Sequence, residues 1–374
     1  MELVKAADRL SEAGHDVIHL SIGEPDFPMA DPIREAFCQA ALENRTRYTS
    51  ALGLQPLREA IAEHYEKAFG VKVPASCIVV TSGASAALMY ACLALINPGD
   101  EVLLTDPGYP CNKTFIQMAA GIPTFVATNE ANNFQPNSAD LLSEWNTRTA
   151  GALLASPTNP TGTQLSLEAM RGVLLALQEK QAFLIMDEIY QSLTYDAAPH
   201  SVLQLGAARS EACPVVVVNS FSKYFGMTGL RLGWMVVPPH LSETVERLAQ
   251  NLSICPNTPS QWAALACFHD NTLNICEERR QLFAKRRDFM VKELPLAGIA
   301  LNSKPDSAFY VYAQSPYESD RYCLDLLQQG LVCTVPGKDF SVNNGQAMMR
   351  LSYANSLNNL ELALDRIRTF NRAG

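Results

Sequence analysis

Positive charge is in short supply: 29 Lys and Arg stand against 38 Asp and Glu, a formal charge of −9. That balance excludes broad, non-specific binding to nucleic acid or an anionic membrane surface, so any cationic site must be local. Long apolar runs are also missing. The longest, residues 86–96, has 11 residues, whereas a membrane span needs roughly 20. Lys5, Asp8 and Arg9 interrupt the N-terminal stretch where a secretory signal would be apolar. The ten cysteines form no C-x-x-C pair and no histidine stands at zinc spacing from them, which speaks against a metal site and for reduced, mostly buried thiols. The expectation is a cytoplasmic protein with no nucleic-acid or membrane partner. Repeats, low-complexity tracts and long linkers are lacking too. With neither G-x-x-x-x-G-K-[ST] nor a strand-linked G-x-G-x-x-G, P-loop nucleotide hydrolysis and NAD-type dehydrogenation lose their main support.

What is present is a chain of 374 residues, 48% hydrophobic and 18% charged, able to bury a large core and long enough for two domains. Short β-rich runs occur at 77–81, 101–105, 123–127, 152–155, 183–186, 215–218 and 232–237. Helix-like segments such as 84–96, 167–178 and 243–252 separate most of them. Alternating β and α segments predict an α/β fold, a mainly parallel sheet flanked by helices. After about residue 270 the pattern changes to a helix over 277–294, strands at 308–313, 332–335 and 348–352, and a final helix with Leu360, Ala363, Leu364, Ile367 and Phe370 on one stripe. The reading is an N-terminal arm and part of a small domain at 1–30, a large domain at 31–275 and a smaller α+β domain at 276–374.

Four polar segments follow predicted strands: Ser82 to Ser85, Ser156 to Asn159, Asp187, and Asn219 to Lys223. Each alone has an ordinary explanation, such as a helix cap or a strand-end carboxylate. Ligands of open α/β sheets bind at the carboxyl ends of strands, however, so the four together predict one crevice. Gly83, Ala84 and Ser85 open an almost uncharged helix, whose first N–H groups and positive dipole end suit an anion. Ser220, Ser222, Lys223 and Arg231 add hydroxyls, an amine and a guanidinium that can grip phosphate through two hydrogen bonds.

The run SFSKYFGMTGLRLG at 220–233 resembles the lysine signature of class I/II aminotransferases, pyridoxal-phosphate enzymes of fold type I. In family order it is joined by SIGEPDF at 21–27, YTSALG at 48–53, DPGYP at 106–110, SPTNPTG at 156–162, DEIY at 187–190 and MRLSY at 349–353. The resemblance implies a PLP transferase fold with a seven-stranded sheet and transfer of an amino group from an L-amino acid to a 2-oxo acid by a ping-pong route. It implies that Lys223 forms the internal aldimine and relays a proton, that Asp187 faces the pyridine nitrogen, and that Asn159 and Tyr190 bond the ring's phenolic oxygen under a stacked Tyr109. It assigns the phosphate to Ala84, Ser85, Ser220, Arg231 and, from a second subunit, Tyr48, which implies a homodimer. It assigns the substrate α-carboxylate to Arg350, with the backbone near Gly23 and with Asn159.

Two departures bear on the substrate. Ser85 stands where one bacterial aspartate aminotransferase subgroup has a lysine for the second carboxylate, and residues 251–258 do not match the block carrying the second substrate-binding arginine of another. Ser307 stands where the family often has glycine. Alternatives on the same fold are carbon–sulfur β-lyases and decarboxylases, which share a carbanion at the substrate. A cofactor-sensing regulator would carry an added N-terminal DNA-binding module, for which 21–27 starts too early. A non-catalytic binding protein would be expected to have lost Lys223 or Asp187.

Overall fold

A computed structural model describes residues 2–206 and 213–373. Seven strands form one sheet in the order Ile78–Thr81, Gly233–Val236, Val215–Ser220, Phe183–Asp187, Thr149–Ala155, Glu101–Asp106, Ile122–Ala127. Gly233–Val236 is antiparallel to both neighbours, and every other pair is parallel. The four consecutive valines at 215–218 are all buried, as a strand covered on both faces requires. Val217 packs into one core with Ile61, Met170, Leu174 and Trp234. Val216 and Val218 pack into the other with Leu88, Met235 and Val245. Fully burying each such side chain contributes roughly 1.5–3 kcal/mol. Helices Gln55–Phe69 and Leu167–Glu179 cover the first face, and Ala84–Leu95 and Ser242–Ser253 the second.

The smaller α+β part is built on an antiparallel sheet ordered Val335–Pro336, Met348–Ser352, Tyr310–Gln314. Phe309, Val311, Leu351, Phe283, Leu360, Leu364 and Ile367 share its core. Its first helix is longer than the apolar spacing at 277–294 predicts, running Asp270–Leu296. The single strand expected at 332–335 is two short ones. Val332–Cys333 pairs in parallel with Ile18–His19, while Val335–Pro336 pairs with Arg350 and Met349. Between them the buried Thr334 turns its hydroxyl inward to Cys323 Sγ, 3.2 Å away. The pairing of Ile18–His19, and the bond from Ser352 N to Leu20 O at 2.7 Å, bring the arm onto this small sheet. Gly23 is thereby placed beside the carboxyl edge of the large one.

Candidate active site

The four polar segments meet in a cavity of about 410 Å³. Of the residues singled out from the sequence as site candidates, all except Gly83 and Tyr48 line it. Gly83 lies directly behind the wall, and Tyr48 is 79% exposed on its own chain. A wider cavity of about 690 Å³ lies between Gln55–Phe69, residues 192–199 and the start of Asp270–Leu296. Its wall brings together His64 and the carboxylates of Glu63, Asp196, Asp270 and Glu277 but no buried amine, so the convergence of chemistry picks out the smaller one.

One end of that cavity is made for an anion. Helix Ala84–Leu95 starts at Gly83 with φ +82° and has no side-chain cap, so the first N–H groups remain available as donors at the positive end of the helix dipole. A Cβ on Gly83 would stand 2.6 Å from Arg231 Nη2, so only glycine lets the guanidinium approach this turn. Arg231 takes a left-handed conformation, φ 51°, and Nη1 donates to Thr228 O at 3.0 Å. Ser220 Oγ accepts from Ser222 N at 3.0 Å, folding both serines toward the same end.

At the opposite end the groups are more buried. Lys223, three positions past the strand ending at Ser220, donates from Nζ to Gly23 O at 2.6 Å. Burial above all pushes its amine down to about 8, helped by the charges of Arg350 and Arg231 and opposed by Glu24 and Asp187. Asp187 closes its strand fully inside the protein. Burial pushes its carboxyl up to about 7, against a hydrogen bond from Ile189 N and the attraction of Lys223. Arg350 is buried at the middle of Met348–Ser352. It donates from Nη1 to Asn159 Oδ1 (2.9 Å) and from Nη2 to Ser21 O (2.7 Å), and its buried Nε has no partner among the described residues. The Asn159 amide nitrogen is left to donate elsewhere.

Three residues that sequence reasoning did not single out belong to this wall. Tyr310 shares a 2.8 Å hydrogen bond with Tyr190 between the two hydroxyls and lies under the Arg350 guanidinium, 4.5 Å from ring centre to Cζ. Its position after Ser307-Ala308-Phe309 was a signal available in the sequence. Glu24 and Thr228, the second donating to the first, close the cavity near Lys223. Nothing in their local sequence marks them apart from the motifs around them.

These groups fit pyridoxal phosphate. The uncapped helix start with Arg231 and two serines matches a phosphate, the amine of Lys223 an aldehyde, and the Asp187 carboxyl, poorly compensated where it is, a protonated ring nitrogen. The chain is also similar to known proteins over nearly its whole length. A family profile described as aminotransferase class I and II matches residues 15–367. A valine–pyruvate aminotransferase of Mycobacterium tuberculosis is 35% identical over 97% of this chain and 92% of its own length. An aspartate aminotransferase of Thermotoga maritima is 33% identical over 99% and 95%. The crystal structure of an aminotransferase from Mycobacterium tuberculosis superposes with a TM-score of 0.94 at 33% identity, covering 100% of this chain and 96% of that one. These relatives are named for amino-group transfer, not for elimination or decarboxylation. The chain belongs to the class I and II aminotransferase family and is a pyridoxal-phosphate-dependent aminotransferase of fold type I.

Proposed function

We propose that the 410 Å³ cavity is the transamination site and that the residues converging on it divide the work as follows. The observation that carries this reading is the meeting of the Lys223 amine, the buried Asp187 carboxyl and the Arg350 guanidinium in one cavity. Ala84, Ser85, Ser220, Ser222 and Arg231 hold the cofactor phosphate, with Gly83 shaping the turn. Tyr109 covers the ring, and Asn159 and Tyr190 donate to its phenolic oxygen. When bound, pyridoxal phosphate supplies the electron sink that stabilises negative charge at the amino acid's Cα.

Lys223 Nζ serves twice. As an amine whose pKa burial has lowered to about 8, it has an unprotonated fraction at neutral pH and would be the group that holds the cofactor aldehyde. With the substrate bound, the same amine would take the proton from the amino acid's Cα as a general base. Asp187 holds a proton on the pyridine nitrogen, because a carboxylate beside that nitrogen favours its cationic form. Arg350 grips the α-carboxylate, its unpartnered Nε and one edge of the fork being the donors on offer. Asn159 and the backbone at Gly23 orient the donor above Lys223.

The functional unit is a homodimer in which Tyr48 reaches the neighbour's phosphate. Supporting this, Tyr48 is exposed on its own chain and absent from its own cavity wall. Leu252 and Ile254 are exposed too. The chain divides into an arm at 1–30, a large domain at 31–275 and a small domain at 276–374, and it works in the cytoplasm on small amino and oxo acids. No helix among the described residues is long and apolar enough to cross a membrane. The cations on the cavity wall, Lys223, Arg231 and Arg350, are all committed, and Ser85 adds none. This chain's own lining therefore favours a donor with a neutral side chain, as valine has, over one with a second carboxylate. A spectral screen of the first half-reaction tests this. Each amino acid is added to holoenzyme without acceptor, and the visible band of the lysine-linked cofactor should give way to that of its aminated form faster for L-valine than for L-aspartate. Faster conversion by L-aspartate would contradict the specificity, and ammonia release would contradict the reaction.

A further inference from the structure

Ser307 is the hydroxyl that the family resemblance leaves without a role, and the structure ties it to the substrate-binding turn. The turn 156–163 carries Asn159 and closes on itself through Gly162 N to Thr158 O and Thr158 N to Thr163 O, both 2.9 Å. Its outer corner, Gly162, has φ +68°, and a Cβ there would stand 2.5 Å from Tyr310 O, so the corner sits hard against the small domain. The Gly162 carbonyl oxygen faces three donors, each at 2.9 Å: Asp306 N, Ser307 N and Ser307 Oγ. Ser307 also bridges to Thr194, and Ala308 N donates to Leu193 O at 2.7 Å. The segment 306–308 thus binds two loops of the large domain to the strand that carries Tyr310.

Ser307 Oγ has a second neighbour. Asp306 Oδ1 lies 2.9 Å away, yet a hydroxyl has one proton to donate. With Asp306 ionised, the charge-assisted bond to the carboxylate takes that proton. With Asp306 protonated, the carboxyl donates to Oγ, and the hydroxyl proton is free for Gly162 O. Both distances are satisfied together only in the second arrangement. We propose that Ser307 is a positioning residue, holding the Asn159 turn against the small domain through Gly162, and that Asp306 governs this hold by competing for the hydroxyl proton. The inference rests on the reading of Asn159 and Arg350 as the substrate clamp.

The surroundings put the competition in an accessible range. Burial pushes the Asp306 carboxyl up to about 6, with Asp196 acting in the same direction and the Ser307 bond, a backbone bond and Arg287 acting against it. Arg287 and Lys304 are both bound to Asp196, Arg287 also to Pro305 O, and Tyr353 lies near on the other side. Below that pH the turn is held by three donors, and above it by two.

The test compares Ser307→Ala, Asp306→Asn and Arg350→Ala with the wild-type holoenzyme, using L-valine and L-aspartate as donors at pH 5 and pH 7.5. Titrations of Lys223 and of the donor amine are common to all and cancel in the ratio of variant to wild-type KM. For Ser307→Ala that ratio should be several-fold at pH 5 and near one at pH 7.5, with kcat changed less than KM. Asp306→Asn, whose amide donates to Oγ at every pH, should match wild type at pH 5 and show a lower KM than wild type at pH 7.5. Hydrogen exchange of peptides covering 156–165 in the cofactor-free protein should rise in Ser307→Ala at pH 5 alone. Equal exchange and a KM ratio of one at both pH values would overturn the proposal, as would an Asp306→Asn variant that behaves like Ser307→Ala. Arg350→Ala should raise KM at both pH values. If it does not, the clamp reading fails, while the exchange result still decides whether Ser307 holds the turn.

Discussion

Asp187 is a fully buried carboxyl at the wall of the site. A buried carboxyl pushed up to about 7 becomes a firm carboxylate only when a cation faces it. Asp187→Asn keeps the shape and removes the charge proposed to hold a proton on the ring nitrogen, so the half-reaction should slow by about 10² or more, on the order of 3 kcal/mol in the barrier. Stopped-flow absorbance with L-valine measures this, and a loss of only a few-fold would move the electron-sink role away from this residue. At this scale much of the site was legible beforehand. Lys223, Asp187, Asn159, Arg231 and Arg350 are chemically specific types in long motifs, and the cavity collects them. Tyr310, Glu24 and Thr228 escaped because their contribution is an approach in space, across 120 positions for the Tyr190–Tyr310 bond and 204 for Thr228–Glu24. Ser307 was visible as a departure, but its partner Gly162 is 145 residues away.

Among the elements, the seven sheet strands were readable because runs such as Val215 to Val218 are apolar, β-branched and bounded by polar turns. The helices Asp31–Leu42 and Gln55–Phe69 were not read. Their start signal is a proline in the first turn, Pro32 and Pro56, and their apolar faces are narrow and broken by charge. Gln55–Phe69 carries a pH response of its own. His64 sits among Phe69, Phe225 and Phe268, and burial pushes its imidazole down to about 4. The folded state then holds it neutral while the unfolded chain binds a proton at the ordinary 6.5. Its contribution to stability is full above that value and is lost as pH falls toward 4. Urea unfolding at pH 7 and pH 4.5 should show wild type losing on the order of 2 kcal/mol more than His64→Phe between the two. Equal losses would mean that the ring is protonated in the folded protein or solvated.

For the whole molecule, the question is whether one chain completes its own site. Tyr48 is exposed and does not line the cavity of its own chain, and the proposed second copy, placing it against the neighbour's phosphate, makes a clear forecast. In the proposed homodimer, Tyr48→Phe should be impaired and Lys223→Ala should be inactive. After subunit exchange, the heterodimer has one site with Lys223 in place and a wild-type Tyr48 from the other chain. Activity should rise toward one wild-type site per heterodimer above the sum of the parents. No gain would leave Tyr48 in its own subunit's site or outside the site. The arm shows why assembly is harder to read than local structure: Ile18–His19 is only two residues long and pairs with Val332–Cys333 more than 300 positions away, a contact that no periodicity announces.

In the proposed mechanism Lys223 alone links the cofactor and is released during amino transfer. Borohydride reduction of the holoenzyme followed by peptide mapping tests it in one measurement. The cofactor's mass should be fixed on the peptide containing Lys223, should be lost from that peptide when L-valine is added before reduction without an acceptor, and should return when pyruvate is added as well. A label on another lysine, or one that L-valine cannot remove while L-valine still supports turnover with pyruvate, would contradict the account.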